Sequence, residues 1–218
     1  AARVRVGIDA EGKNYGTGTA NGNVLKDSME FGPGDDILEV RNGIGNSGKV
    51  NLGAGDDELI VHGTAYASGS NVGRRNPKST RASIDGGEGT DTVILKGNSQ
   101  YLHGEYISNF DRVELNGTEG HFQIKLSEMK DQKLGGNNPL IVSGVAGQGN
   151  TVDFDHGTGT GPRNQKYENK PGKTIGKWTA QPKTRTENGK TYVVWRHTDS
   201  LESSAHDVWV ENTLGVRG

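Results

Sequence analysis

Apolar positions in this chain fall in short runs spaced two apart, and no long stretch shows helical spacing. Leu38 and Val40, Leu59 and Val61, and Val93 and Leu95 each put two aliphatic side chains on one face of a strand. Upstream of each pair stands an apolar residue, Met29, Val50 or Ile84, followed by an oxygen-bearing one, Glu30, Asn51 or Asp85. Between them lies a glycine turn: Gly32-Pro33-Gly34-Asp35-Asp36, Gly53-Ala54-Gly55-Asp56-Asp57 and Gly87-Glu88-Gly89-Thr90-Asp91. The pattern predicts strand, turn and strand, three times over. Further on, Thr184 to Trp195 predicts a hairpin about Asn188-Gly189, with Val208, Trp209 and Val210 as a closing strand. The best helical candidate, Leu126 to Leu134, is brief.

The turns carry the candidate chemistry. Glycines supply positive φ and turn carbonyls inward, while the following aspartate supplies hard anionic oxygens of the kind Ca²⁺ selects. Asp36, Asp57 and Asp91 are the expected principal ligands, supplemented by Glu30, Asn51 and Asp85, and by Asp35 and Asp56. Carbonyls of Gly34, Gly55 and Gly89 are expected to help fill a shell of about 6–8 oxygens. If the copies stack as coils about 4.8 Å apart, the repeated carboxylates repel one another unless a cation sits between them. The bland alternative, solvated hairpin corners, does not explain why the apolar flanks keep register in all three copies.

Composition points the same way. Only 30% of the 218 residues are hydrophobic and 35 are glycine, so little apolar area offsets chain entropy. Cysteine is absent, which leaves bound metal as the natural staple. The fold expected is all-β: a Ca²⁺-stapled β-solenoid, β-roll-like, with inserted loops and a C-terminal hairpin cap. Residues 1–218 are read as one monomeric module, with glycine-Asp turns over 1–100 and a continuation with a Trp-rich cap over 101–218. From its start at Ala1-Ala2-Arg3 the chain looks excised from something larger.

The copies are unevenly spaced, 21 residues from Gly32 to Gly53 and 34 from Gly53 to Gly87. The longer interval holds a polar loop over 63–83 with Tyr66, Arg74, Arg75, Lys78 and Arg81. A second basic loop, 157–177, carries Arg163, Lys166, Tyr167, Lys170, Lys173 and Lys177. Such loops either solubilise the chain or recognise carboxylates, for which arginine is geometrically suited. Trp178, Trp195 and Trp209 follow, either closing an open sheet edge or offering stacking surfaces. Gly147-Gln148-Gly149-Asn150-Thr151-Val152-Asp153-Phe154 reads as a degenerate turn lacking the key aspartate.

The net charge of -2 gives no global pull toward nucleic acid or membrane, and no apolar run reaches membrane-spanning length. No G-x-S-x-G, H-E-x-x-H or P-loop motif occurs, and the six histidines are scattered without ligand-like pairing. The sequence therefore points away from an enzyme.

The repeat resembles the Ca²⁺-binding nonapeptide of RTX proteins, G-G-x-G-x-D-x-U-x. Gly86-Gly87-Glu88-Gly89-Thr90-Asp91-Thr92-Val93-Ile94 matches it in full, and the other copies carry Phe31 and Leu52 in place of the first glycine. Ile107 to Leu115 and Trp178 to Asn212 resemble modules near the C-terminal end of giant bacterial adhesins secreted by the type I system. The resemblance implies an extracellular module, at the bacterial cell surface, that binds several Ca²⁺ ions and a peptide or protein C-terminus on a target cell. Arg74, Arg75, Tyr66, Tyr167 and Trp178 are the ligand-binding candidates. A glycan ligand, a module accessory to a secreted polysaccharide-modifying enzyme, and a structural spacer remain alternatives. A plain RTX roll repeats without insertion, so the uneven spacing favours a scaffold elaborated with binding loops.

Overall fold

The computed structural model of the chain describes residues 4–7, 28–40, 49–62, 83–98, 101–104, 107–131, 134, 138–154 and 176–218. Within them the protein is mostly β-strand, with one short α-helix, α1 (Leu126–Asp131). The strands before α1 are β1 (Val4–Gly7), β2 (Ser28–Glu30), β3 (Asp36–Val40), β4 (Lys49–Asn51), β5 (Glu58–Val61) and β6 (Ser83–Asp85). They continue with β7 (Thr92–Leu95), β8 (Tyr101–His103), β9 (Ile107–Ser108), β10 (Arg112–Leu115) and β11 (His121–Ile124). After the helix come β12 (Leu140–Gly144), β13 (Thr151–Phe154), β14 (Trp178–Glu187), β15 (Lys190–His197), β16 (Val208–Glu211) and β17 (Gly215–Arg217).

These form a nine-stranded sheet, β1-β3-β5-β7-β10-β12-β16-β15-β14, and two four-stranded sheets, β2-β4-β6-β9 and β17-β13-β11-β8. Pairing is parallel everywhere among the described strands except at β14–β15 and β15–β16. The chain thus visits one small sheet, turns, and joins the large sheet beside its previous pass. The second hydrophobic residue of each pass lands on its predecessor. Leu38, Leu59, Val93, Val113, Val142 and Val210 form one column across the large sheet, none more than 1% exposed. Val50, Ile84 and Ile107 form a second column, and Leu102, Phe122 and Val152 a third. All three belong to one core, so a sequence poor in hydrophobic residues buries nearly every one that the strand period points inward.

The turns stack as closely as the strands. Pro33, Ala54 and Glu88 pair as successive parallel bridges, and the glycines around them adopt positive φ. A Cβ at Gly87 (φ +94) would stand 1.8 Å from the Gly53 carbonyl oxygen, and one at Gly89 (φ +130) 1.9 Å from that of Gly55. Glycine is required here twice over, by conformation and by the approach of the neighbouring backbone.

At the C-terminal side, Asn188 (φ 50) and Gly189 (φ 75) make the two-residue turn of the β14–β15 hairpin, as their dipeptide predicts. The hairpin adds to the large sheet through β16. Trp178 and Trp195 lie 4.9 Å and 5.1 Å from the Phe154 ring, tying the hairpin to β13. The predicted degenerate turn at Gly147 to Phe154 does not join the Gly-Asp turns; its strand, β13, belongs to a different sheet. There Asn150 is buried and plugs a corner, accepting from Gly120 N–H and donating to the carbonyls of Leu115, Gly117 and Val145. No helix among the described residues is long and apolar enough to cross a membrane.

Gly147 also has positive φ (+72), but a Cβ there would meet nothing within 4 Å. Gly147→Ala is expected to cost about 1 kcal/mol and Gly87→Ala about 3 kcal/mol or more, read as shifts in urea unfolding midpoints. Equal shifts would show that the turns do not stack this closely in solution.

Candidate metal centre

The three Gly-Asp turns bring their oxygen-bearing residues into parallel rows. The innermost row is Asp36, Asp57 and Asp91, exposed by only 2%, 1% and 0%. The second and third carboxylates reach back to the preceding turn: Asp57 Oδ1 accepts from Asp36 N–H at 2.7 Å, and Asp91 Oδ1 from Asp57 N–H at 2.9 Å. The row does not stop at the third copy. Asp91 N–H donates to Asp111 Oδ2 at 2.8 Å, making Asp111 its fourth member.

The sequence reading missed Asp111 because its turn lacks the glycine pair. Asn109 (φ 53) takes the left-handed role there, a conformation asparagine tolerates better than most residues. The usable signal was the spacing after the aspartate, since Val113 and Leu115 follow Asp111 as Leu59 and Val61 follow Asp57. Beyond Asp111 the position is filled by buried Leu140, and the row ends.

A second row is exposed and runs with opposite polarity. Asp35 Oδ1 accepts from Asp56 N–H at 2.9 Å, and Asp56 Oδ1 from Thr90 N–H at 2.8 Å. Glu30, Asn51 and Asp85 form a third row, in register across β2, β4 and β6. Asn51 Oδ1 and Asp85 Oδ1 each accept a local N–H, from Gly53 at 3.1 Å and Gly87 at 3.0 Å. Asp85 Oδ1 also accepts from Asn109 Nδ2 at 2.7 Å. Gly34 and Gly55 donate their N–H groups to the carbonyls of Ala54 and Glu88.

The inner row is electrostatically incomplete. Oδ2 of Asp36, Asp57 and Asp91 is buried in each case and has no hydrogen-bond partner. Burial pushes the Asp91 carboxyl up to about 7; the Asp57 N–H opposes the rise, and the charges of Asp57, Asp111 and Asp56 add to it. Asp57 is raised by burial, against the Asp36 N–H, with the charges of Asp36, Asp35 and Asp56 adding. Asp111 is raised by burial too, against the Asp91 N–H and the Arg112 guanidinium. A buried carboxylate oxygen without a donor is costly and calls for a proton or a cation.

The surroundings suit a hard cation. Gly86, the extra glycine of the third copy, leaves a recess that a side chain would fill. A Cβ there would stand 2.8 Å from Asp91 Oδ2 and 2.4 Å from the Asn109 carbonyl oxygen. Among the described residues no three His, Cys, Asp or Glu side chains converge as a group that could hold an ion. The carboxylates lie along a row rather than around a point. An ion here would take one or two carboxylates and complete its shell with carbonyl oxygens and water, a donor set that Ca²⁺ accepts.

Of the ligand-binding candidates, Tyr66, Arg74, Arg75 and Tyr167 lie outside the described residues, as does most of the second basic loop. Trp178 is 3% exposed and packed into the core, so it offers no face to a ligand. Aromaticity was legible in the sequence; the side to which the strand turned it was not. Comparison with family models, curated proteins and solved structures gave no match. The chemistry of the rows therefore carries the functional argument.

The Asp91 shift fixes the sign of a pH effect. Its folded value of about 7 exceeds the ordinary 3.8, so between these the folded state holds a proton that the unfolded state has released. The stabilisation is complete below about pH 4 and lost as pH rises through about 7. In EDTA, the melting temperature is expected to fall steadily from about pH 4.5 to about pH 7.5. A melting temperature that rises over that interval would mean that the inner carboxyls are not buried as described.

Proposed function

We propose that the protein is a Ca²⁺-dependent, extracellular ligand-binding module of a bacterial surface adhesin, built as a Ca²⁺-stapled β-solenoid. One observation carries the metal part of this reading: Asp57 and Asp91 each hold one carboxylate oxygen on a neighbouring N–H and leave the other buried without a partner, and Oδ2 of Asp36 beside them is likewise unpartnered. A proton satisfies such an oxygen only while its carboxyl stays protonated, which for Asp91 ends as pH rises through about 7. At neutral pH a divalent cation neutralises the row and cross-links successive turns. The parallel strand order supports the solenoid, because each pass of the chain covers the one before it. Several ions along the row would serve the principal ligands Asp36, Asp57 and Asp91, with Asp111 added as a fourth.

The adhesin part rests on the RTX-like turns and on the interruption of an otherwise regular stack by long basic segments. A scaffold made rigid only where Ca²⁺ is abundant folds outside the cell, after secretion. A peptide or protein C-terminus on a neighbouring cell is the proposed ligand, since arginine and lysine in the inserted segments suit a carboxylate. No catalytic step is assigned.

Metal is tested by melting the full chain in Ca²⁺ and in EDTA at pH 7.5, with Asp91→Asn alongside. The wild type is expected to melt at least about 10 °C higher in Ca²⁺, since binding to the folded state alone stabilises by mass action. Asp91→Asn removes a buried charge, so it is expected to raise the melting temperature in EDTA while shrinking the gain from Ca²⁺. Equal melting in Ca²⁺ and EDTA contradicts the staple. The ligand is tested by probing a C-terminal peptide library in Ca²⁺, beside a glycan array; binding to neither contradicts the adhesion reading.

A further inference from the structure

The hairpin contains a break in pairing that opens a cavity. Ala180 pairs with Trp195 and Thr184 with Val193, so Gln181, Pro182 and Lys183 on β14 stand opposite Val194 alone. Pro182 has no N–H to give to the ladder, and the extra residues bow out of the sheet. Below the bow, Val194 of β15 pairs with Trp209 of β16. The result is a cavity of about 530 Å³ whose walls include Pro182, Val194 and Trp209 with Lys183, Arg185 and Arg196. None of these belongs to the Gly-Asp turns.

Its charge is one-sided. Asp207, the carboxylate in the wall, is buried and consumed by Arg196, which donates to it through Nε and Nη2, both at 2.7 Å. Lys183 and Arg185 have no carboxylate partner among the described residues. The Arg185 guanidinium carbon lies 5.9 Å above the Trp209 ring, held beside an aromatic face with its donors still available. The cavity therefore joins two uncompensated cations to an apolar floor. Among its lining residues the neutral hydrogen-bonding groups are the side chains of Gln181 and Ser204 and the indole N–H of Trp209. That is a poor match to a hydroxyl-rich sugar and a good one to a carboxylate attached to an apolar group.

We propose that this cavity docks the free C-terminus of a peptide ending in an aliphatic or aromatic residue. Lys183 and Arg185 hold the terminal carboxylate, while Trp209, Val194 and Pro182 receive the last side chain. The assignment rests on the ligand-binding reading above and moves the site from the inserted loops to the hairpin. Arg196 acts as a positioning residue: its fork on Asp207 neutralises the carboxylate that would otherwise repel the ligand.

The test is a ¹⁵N-resolved NMR titration of the full chain in Ca²⁺ with acetyl-Ala-Ala-Leu as the free acid, as its C-terminal amide, and with glucuronic acid. The free acid is expected to shift Trp209 and Val194 resonances saturably, and the amide to bind about tenfold or more weakly. The K183Q/R185Q double variant, both of whose positions are exposed, is expected to keep its melting temperature and lose about tenfold in affinity. Equal binding of acid and amide overturns the site, as does tighter binding of glucuronic acid than of peptide. Shifts confined to 63–82 or 155–175 overturn this site and leave the adhesion reading standing. Peptide and glycan binding nowhere on the chain would remove both.

Discussion

The described turns of the first half of this protein are organised around carboxylates held one strand spacing apart inside the fold. Two charges about 5 Å apart repel by about 3 kcal/mol at an effective dielectric near 20, and the inner row has successive members at this order of separation. The backbone answers half of that charge. Each N–H of the row points at the carboxylate of the next turn, which fixes the register of one pass on another. Oδ2 of Asp36, Asp57 and Asp91 is buried and answered by no protein donor. Burial without a donor is costly for those oxygens in their charged form, so their protonation bears on the stability of the fold.

The same constraint explains why the protein manages with so few hydrophobic residues. Parallel strands in register convert each inward position into a continuous column, so few residues suffice for a dry interior. Glycine stacking brings the turns close enough for aspartate to reach the neighbouring backbone, and that closeness creates the repulsion. Past Asp111 the logic changes. Leu140 replaces the aspartate, aliphatic and aromatic packing takes over, and the hairpin is fastened by Phe154, Trp178 and Trp195. The described chain is therefore a stack with a row of buried aspartates, joined to a conventionally packed end.

Much of this was legible in the sequence. Period-two aliphatics gave strands and the inner face, and Asn188-Gly189 gave the hairpin turn, because these features depend only on neighbouring residues. The shared register of Asp36, Asp57 and Asp91 was legible because three copies repeat it. Asp111 was hidden because Asn109 does there what glycine does elsewhere. The turn before β13 read as a degenerate copy because two glycines and an oxygen-bearing side chain serve equally well at a corner plugged by Asn150. Trp178 and the bowed Gln181-Pro182-Lys183 depend on what the strand meets across the sheet, which local spacing does not encode.

The most direct test of the stapled row is residue-resolved amide hydrogen exchange at neutral pH, with and without Ca²⁺. The N–H groups of Asp36, Asp57 and Asp91 are bonded to the carboxylates of Asp57, Asp91 and Asp111, whereas Val142 and Val210 lie in the strand ladder. The account predicts strong protection of the three aspartate amides in Ca²⁺ and its loss in EDTA, while Val142 and Val210 stay protected in both. Equal protection of Asp57 and Asp91 in Ca²⁺ and EDTA would contradict it.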